Sequence, residues 1–293
     1  MRIDLHTHSD RSDGTTSPAE VVRAARRSGL DVLALTDHDT AAGWAEAGRA
    51  AGEVGLVLVP GMEISCRHAG RALHLLAYLP DPTYPPLQEV LATILAGRDQ
   101  RVPTILAKLQ GEGIDLREDE VREQSVGAAA VGRPHVADAL VARGVVRHRT
   151  EAFDRYLSPG RPAYVTRYAP PVDEVLAVVR GAGGVAVVAH PWGRTDTSAL
   201  QEDGLAALQA RGLAGIEADH QDHSPGQRAA LKAIAADLGL LVTGSSDYHG
   251  AGKADHELGC NTTEPEQLDR LLGLAQEAAA ASGRATPTVV RPS

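Results

Sequence analysis

The stretch DLHTHSDRSD, residues 4–13, sets the pattern from which the rest of the sequence can be interpreted. It places His6 and His8 one residue apart at the end of an apolar run, and a carboxylate, Asp13, follows in the next loop. Alternate residues of a strand face the same side, so both imidazoles can reach one ion. One His-x-His pair also arises by chance, and the later strands must therefore decide its meaning.

Short apolar, β-branched runs alternate with segments of helical spacing. The predicted strands are Arg2–His6, Asp31–Thr36, Leu56–Pro60, Ala72–Ala77, Val185–Ala189, Ala214–Glu217 and Leu240–Gly244. The predicted helices are Ser17–Ser28, Ala41–Glu53, about Pro86 to Gln110, Val172–Gly181, Asp203–Arg211, Pro225–Leu238 and Pro265–Ser282. This alternation predicts an α/β fold with a parallel sheet rolled into a barrel, and an open doubly wound sheet is the alternative.

One region interrupts the alternation, because no strand pattern appears from about residue 97 to residue 162 and the spacing there is helical. We therefore expect a first part of the barrel at 1–97, a helical insertion domain at 98–162 and a second part of the barrel at 163–283. The last residues, 284–293, have no periodicity, and we expect a loose C-terminal tail.

The amino-acid composition restricts the kinds of molecule that this protein is expected to bind. The formal net charge is −9 and no run of five or more Lys or Arg occurs, which argues against long nucleic acid and favours small or short ligands. The two cysteines lie far apart, so neither a disulfide framework nor a zinc ribbon is expected. No apolar stretch reaches the roughly 18 residues of a membrane span. We expect a cytoplasmic protein with no membrane partner.

Histidine and carboxylate residues recur around the predicted strands. Asp37 and His38 follow the second strand, Glu63 follows the third, His74 lies in the fourth, His190 ends the fifth, His220 and His223 follow the sixth, and Asp247 and His249 follow the seventh. The carboxyl ends of parallel strands meet on one face, where α/β proteins place their active sites. Repetition at equivalent positions therefore predicts one shared site.

These residue types indicate the chemistry of that site. Imidazole and carboxylate suit Mn²⁺, Fe²⁺ and Zn²⁺, while the absence of site cysteines argues against a closed structural zinc site. Nine plausible ligands exceed the needs of one ion, so we expect two or three ions with Glu63 as a bridge. Adjacent divalent ions can activate a shared water and hold a phosphoryl group. The pattern predicts hydrolysis of phosphate esters.

The ordered motifs DLHTHSDRSDG, LALTDHDT, PGMEIS, HLLAY, AHP and SSDYHG resemble those of the PHP (polymerase and histidinol phosphatase) phosphoesterases. The resemblance covers essentially the whole chain. It implies a distorted, TIM-like (β/α)7 barrel with a helical insertion and a trinuclear metal site. The implied ligands are His6, His8, Asp13, His38, Glu63, His74, His190, Asp247 and His249. Asp37 and Asp39 flank a ligand and are expected to orient imidazoles.

The insertion is similar to that of PHP members that act on nucleoside 3′,5′-bisphosphates and, in some relatives, degrade short RNA from the 5′ end. In this resemblance Arg133 clamps a phosphate, His135 assists, and His223 matches a family histidine that contacts the phosphate. The alternative is that GRPH only starts a helix, with Pro134 in its first turn and His135 exposed. The role of His220 stays open.

Other polar residues are expected to be peripheral. Surface positions are predicted for Arg67, His68, His148, Arg194 and His256. Trp192 is expected either to stack on a base or to form part of the structural rim.

The resemblance and the ligands together predict a metal-dependent phosphomonoesterase. In the expected reaction a metal-activated hydroxide attacks phosphorus, Arg133 spreads the charge, and a metal or protonated His223 assists the leaving oxygen. The expected substrate is a nucleoside 3′,5′-bisphosphate that loses its 3′-phosphate, and Mn²⁺ is the expected ion, with Fe²⁺ or Zn²⁺ as alternatives. The competing hypotheses are a histidinol-phosphate-type phosphatase, a 5′-3′ exonuclease on short RNA, and a non-catalytic metal-binding module.

Overall fold

Seven strands form one nearly closed barrel in the computed structural model, which describes residues 1–193 and 198–291. The strands are β1 (Ile3–Asp4), β2 (Val32–Leu35), β3 (Val57–His68), β4 (Arg71–Tyr78), β5 (Val185–Val188), β6 (Leu213–Asp219) and β7 (Leu241–Gly244). They neighbour one another in chain order. A parallel bridge between Thr7 and Tyr248 brings together the segments that follow β1 and β7. The predicted α/β barrel is therefore confirmed.

Helices cover the barrel and form the insertion. They are α1 (Pro18–Arg27), α2 (Trp44–Val54), α3 (Pro85–Gln100), α4 (Val102–Gly111), α5 (Glu118–Glu123), α6 (Arg133–Ala142), α7 (Arg149–Ala152), α8 (Val172–Gly181), α9 (Glu202–Gln209), α10 (Pro225–Leu238) and α11 (Pro265–Ser282). A π-helical turn at Phe153–Leu157 continues α7. None of the helices in the described part of the chain has both the length and the apolar character needed to cross a bilayer.

Strand β4 differs from the prediction of a purely parallel sheet, because it runs antiparallel to both β3 and β5. Only Ala69 and Gly70 separate β3 from β4, and both have positive φ angles, 47° and 77°. A parallel connection needs a dozen or more residues, so this two-residue link can only reverse the chain. The predicted end of the third strand at Pro60 is also wrong, since β3 continues to His68.

The long helix predicted from about Pro86 to Gln110 is two helices. They meet at Arg101, which ends α3 and precedes α4. Pro103 lies in the first turn of α4, where its missing N–H leaves no hydrogen bond unmade. The break therefore follows from the position of this proline, and it places Arg101 at a junction between helices.

The insertion has a hydrophobic core of its own, which includes Val102, Ile105, Val136, Leu140 and Leu157. Two hydrogen bonds of 2.9 Å attach this region to the loop after β1: Arg149 Nη1 donates to the carbonyl of Asp13, and Ala129 N donates to the carbonyl of Arg11. The insertion therefore lies against the mouth of the barrel.

The C-terminal segment has neither helix nor strand through residue 291. Val290 nevertheless forms an antiparallel bridge with Leu58 of β3, with backbone hydrogen bonds of 2.9 Å in both directions. This part of the predicted loose tail is attached to the barrel.

Candidate metal centre

The structure brings all nine predicted ligand side chains into one cluster at the barrel mouth, in which His74 and His190 are half-buried and the other side chains are buried. His6, His8, Asp13 and His38 follow β1 and β2, and His190, Asp247 and His249 follow β5 and β7. Glu63 and His74 lie within β3 and β4 instead of after them. The hairpin explains this, because β3 continues past Pro60 to His68 and β4 returns antiparallel to it, which places His74 opposite Ser65, two residues after Glu63.

One group of ligand atoms converges on a common point. His6 Nε2 and His8 Nε2 are 3.0 Å apart, and each lies 3.2–3.4 Å from Glu63 Oε2 and Asp247 Oδ1. Around an ion with metal–ligand distances of about 2.0–2.2 Å, neighbouring ligand atoms are about 3–3.5 Å apart. The four side chains therefore fit a divalent ion without rearrangement.

Two further groups extend the cluster. Asp13 lies near three imidazoles: its Oδ1 is 3.3 Å from His249 Nε2 and 3.7 Å from His8 Nδ1, and its Oδ2 is 3.6 Å from His38 Nε2. The third group surrounds Glu63, whose Oε1 lies 2.7 Å from a nitrogen of His74 and whose Oε2 lies 3.1 Å from one of His38. Because Glu63 also contacts the first group, it has the position expected of a shared ligand.

Burial and neighbouring charges shift the pKa values of the ligands in different directions. Burial opposes ionisation of Glu63, but the neighbouring His38, His74 and His6 hold the pKa of its carboxyl well below the usual range. Burial lowers the pKa of His38 to about 3 and that of His190 to about 4, so both rings are neutral near pH 7. Burial opposes protonation of His6 and His8, but the neighbouring carboxylates raise the pKa of both rings, that of His8 to about 9. A divalent ion binds neutral imidazole, so binding at these two residues would release protons.

Glu217 supports this cluster and was missed in the sequence. It is fully buried, its Oε1 lies 3.1 Å from His6 Nδ1, and its Oε2 accepts a 2.8 Å hydrogen bond from the backbone N–H of His190. Burial opposes its ionisation, but the charges of His6 and His220 lower the pKa of Glu217 to about 2. A carboxylate at Nδ1 directs the Nε2 lone pair of His6 toward the ion position.

A cavity of 320 Å³ opens onto the cluster. Ligand side chains line it together with two cations, Arg149 and Lys253. Lys253 Nζ lies 2.5 Å from Asp247 Oδ2, and Asp138 holds Arg149 through bonds of 2.8 and 2.5 Å. The cavity therefore combines a cation-binding floor with cationic walls, which suits an anionic substrate.

Comparison with known proteins agrees with this arrangement. Residues 4–107 match the model of the PHP domain. Over 258 residues, which are 88% of this chain and 90% of the relative, the sequence is 35% identical to a 3′,5′-nucleoside bisphosphate phosphatase of Chromobacterium violaceum. The chain belongs to the PHP family. The resemblance inferred from the motifs is thereby confirmed.

Two other similar proteins cover the PHP chain almost completely. A 5′-3′ exoribonuclease of Haemophilus influenzae is 36% identical over 248 residues, 85% of this chain and 90% of that relative. The crystal structure of a Bifidobacterium adolescentis protein, assigned as a metal-dependent phosphoesterase, superposes with a TM-score of 0.89 at 39% identity. That match covers 93% of this chain and 96% of the other. It supports the PHP barrel together with its insertion.

The two aspartates beside His38 have other partners than predicted. Asp37 accepts hydrogen bonds from Ser9 and Ser12, and Ser12 Oγ lies 3.4 Å from His8 Nδ1, so Asp37 reaches a PHP ligand only indirectly. Asp39 hydrogen-bonds Ser65 and Arg98, so the prediction that it orients an imidazole is wrong. Its φ of 57° turns its carboxylate away from the cluster toward β3.

A further histidine pair adjoins the PHP cluster. His220 Nε2 lies 3.3 Å from Asp247 Oδ2, and His256 can join these two residues as a ligand group. His256 is only 6% exposed, so its predicted surface position is wrong; its Nδ1 donates to the carbonyl of Ala254 at 2.7 Å. Lys253 already places its ammonium group on the same carboxylate oxygen of Asp247.

His223 is placed differently from the predicted acid. Its Nδ1 donates to the carbonyl of Ala218 at 2.9 Å, and its Nε2 accepts from the backbone N–H of Trp192 at 3.1 Å. Burial lowers the pKa of the His223 ring. Both ring nitrogens are therefore engaged with the backbone, and neither is free in this geometry to protonate a leaving oxygen. The role of general acid stays a prediction. Trp192 itself is buried and donates to Leu200, as a structural residue does.

The Arg-Pro-His element does start a helix, since α6 begins at Arg133 with Pro134 in its first turn. His135 is not exposed as the alternative required: it is 4% exposed, and its Nδ1 accepts from the backbone N–H of Gly132 at 2.9 Å. Arg133 donates to the carbonyl of Leu157 at 2.9 Å and lines a second cavity beside the metal cluster.

The other residues predicted at the surface differ in their exposure. Arg67 and His148 are exposed, in agreement with the prediction. His68 is half-buried, with Nε2 3.2 Å from the carbonyl of Ala199. Arg194 lies outside the described residues.

Proposed function

We propose that this PHP protein is a metal-dependent phosphoric monoester hydrolase that removes the 3′-phosphate from nucleoside 3′,5′-bisphosphates. The observation that supports the proposal is the convergence of imidazole and carboxylate ligands, at ligand-atom spacings of 3.0–3.4 Å, on the floor of a cavity with cationic walls. The 35% identity to a 3′,5′-nucleoside bisphosphate phosphatase supports the choice of substrate.

In this proposal two or three divalent ions are held by His6, His8, Asp13, His38, Glu63, His74, His190, Asp247 and His249. Glu63, which contacts more than one group of ligands, would be the ligand common to them. When bound, the ions would supply Lewis acidity at the phosphoryl oxygens and positive charge against the transition state. Mn²⁺ is the ion that we propose, and Fe²⁺ and Zn²⁺ suit the same ligands.

The protein's own side chains position the phosphate. Lys253 and Arg149 line the cavity and can hydrogen-bond phosphoryl oxygens as charged donors. Asp138 fixes the Arg149 guanidinium, and Asp247 fixes the Lys253 ammonium group. We further propose that Arg133 clamps a phosphate from the neighbouring cavity, with His135 acting through the helix start that it caps.

A second candidate function is 5′-3′ exonuclease activity on short RNA. It is favoured by the 36% sequence identity to a 5′-3′ exoribonuclease. The identity to the phosphatase is 35%, so sequence identity does not favour one relative over the other. Both activities would use the same metal centre, so the ligand cluster does not separate them. A histidinol-phosphate-type phosphatase is the third alternative.

A substrate panel tests these proposals. Phosphate or nucleotide release is measured with Mn²⁺ on adenosine 3′,5′-bisphosphate, histidinol phosphate and a 5′-phosphorylated RNA pentamer. We expect the highest kcat/KM on the bisphosphate. Rapid turnover of histidinol phosphate with none of the bisphosphate would contradict the proposal. A cytoplasmic setting is part of the proposal and agrees with the two unpaired cysteines, Cys66 and Cys260.

A further inference from the structure

The second cavity, 520 Å³ in volume, adjoins the metal cluster. Asp13, His38, His74, Pro134 and Phe153 line both cavities. The lining of the second cavity is rich in arginine, which supplies Arg67, Arg71, Arg98, Arg101, Arg133 and Arg167. Among the described residues that line this cavity, Asp13 is the one acidic residue. This concentration of positive charge is local, because the whole chain has a formal charge of −9.

Arg101 differs from its neighbours in this cavity. It lies at the junction of α3 and α4 and is only 6% exposed. Among the described residues its side chain has no carboxylate partner, and its Nε is a buried donor without a hydrogen bond. Arg98, one turn earlier, is by contrast held by Asp39 at 2.9 and 2.6 Å. A buried cation without a partner is costly, so an anion in this cavity would stabilise it.

The charges around Arg101 support the same conclusion. Burial, followed by the positive charges of Arg133, Arg98 and Arg167, lowers the pKa of Arg101 to about 8. Arginines crowd together in this way at sites that bind phosphate, because the phosphate oxygens accept several guanidinium hydrogen bonds at once.

We propose that Arg101, with Arg133 and Arg167, forms a second phosphate subsite that binds the non-reacting phosphate of the substrate while the other phosphate lies at the metal centre. The proposal rests on the proposed function for the identity of the reacting phosphate. The bound group is either the terminal 5′-phosphate of a mononucleotide or a phosphodiester of a short RNA chain. Both present the same anionic oxygens.

A binding experiment tests the subsite without turnover. Isothermal titration calorimetry measures adenosine 5′-monophosphate and adenosine on the full-length protein, as purified and after chelation. The wild type should bind the monophosphate more tightly than adenosine in both states, and Arg101→Met should weaken that binding by about 10- to 100-fold. Arg101→Lys, which keeps the positive charge, should weaken binding of the monophosphate less than Arg101→Met does. Equal affinities of wild type and Arg101→Met would overturn the proposal.

A matched control is Arg122→Gln, which removes one positive charge from an exposed position on α5 that lines neither cavity. Its affinity should equal that of the wild type. If Arg101→Met does not fold, Arg167→Gln at a half-buried position of the same lining replaces it, with an expected weakening of about 3- to 10-fold. Unchanged affinity in that variant would equally overturn the subsite.

Kinetics separate the subsite from the proposed function. In Arg101→Met, KM should rise for adenosine 3′,5′-bisphosphate and stay constant for adenosine 3′-monophosphate, which lacks the second phosphate. An equal rise for both substrates would contradict the subsite. A wild type that releases no phosphate from either would contradict the proposed function, while calorimetry still decides on the subsite. Tighter binding of a 5′-phosphorylated dinucleotide than of the mononucleotide would identify an RNA chain as the source of the second phosphate.

Discussion

Three ligands of the metal cluster, Asp13, His38 and His74, also line the second cavity, which we call the arginine cavity. The two regions nevertheless carry opposite imbalances of charge. In the cluster, imidazoles and carboxylates lie within 2.7–3.7 Å of one another, and the site is arranged for added positive charge. In the cavity, Arg101 is buried without an anionic partner in the part of the chain that the structure describes, and the site is arranged for added negative charge. This difference is the basis of our proposal that one substrate spans both regions, with its reacting phosphate at the metal centre and its second phosphate at the arginines.

The strongest test of this division removes a ligand of the metal cluster. Asp247→Ala and His8→Ala should lower kcat/KM by about 1000-fold or more, because several kcal/mol of transition-state stabilisation depends on the bound ions. Phosphate release and metal content by mass spectrometry measure the effect. Binding of adenosine 5′-monophosphate to the arginine cavity should survive in both variants. Full activity in either one would refute the site assignment.

The next test lowers the metal affinity of the cluster without replacing a predicted ligand. Glu217→Gln removes the carboxylate that holds His6 Nδ1, and metal affinity should fall by about 10- to 100-fold. Metal titration followed by activity measures the change, and excess Mn²⁺ should restore much of the rate. Asp219→Asn on the same strand is the matched control, since Asp219 pairs with Lys232 outside the cluster. Equal affinities in both variants would show that Glu217 has no such role.

A smaller effect on activity is expected from a substitution in the arginine cavity. Arg133→Gln should raise KM for the bisphosphate by about 3- to 10-fold, less than the loss in Arg101→Met, because Leu157 already accepts one hydrogen bond from the Arg133 guanidinium. Steady-state kinetics on the bisphosphate and on adenosine 3′-monophosphate measure the difference. A fall in kcat alone, with constant KM, would place Arg133 at the reacting phosphate instead.

The smallest effect on catalysis is expected from His223, which belongs to neither region. His223→Ala leaves the buried backbone N–H of Trp192 without its acceptor, so the free energy of unfolding should fall by about 1–3 kcal/mol. Urea denaturation measures this loss, and kcat of the folded enzyme should change little. Unchanged stability with a large loss of kcat would restore His223 to the role of proton donor that the sequence suggested.

Much of the barrel could be predicted because apolar runs and helix caps are local signals. The strand β5 and the helices α8, α10 and α11 lie within a residue of their predicted bounds. The reversal of β4 was missed because a strand pattern does not indicate direction; only the two-residue link at Ala69 and Gly70 does. The break at Arg101 was likewise overlooked, although Pro103 marks it.

For the site, the His-x-His pair and the strand-end residues led to the right cluster, since residue type and position coincide there. Glu217 was assigned only to a strand, because the depth of a carboxylate cannot be seen in a sequence. A signal was present, for Glu217 is an acidic residue inside an apolar run. His256 lies in a polar loop, and its Nε2 is 3.5 Å from a carboxylate oxygen of Asp222, 34 positions earlier, which is a long-range contact that a local pattern does not reveal.

The hairpin of β3 and β4 has a consequence for the order in which this site is assembled during synthesis. Glu63 and His74 pair within 22 consecutive residues of chain, Val57 to Tyr78, so their contact closes a short loop and can form early. His190, Asp247 and His249 leave the ribosome more than a hundred residues after that hairpin. We therefore expect a nascent chain to hold only a partial set of ligands until its last third emerges, and high-affinity metal uptake to mark completion of the barrel.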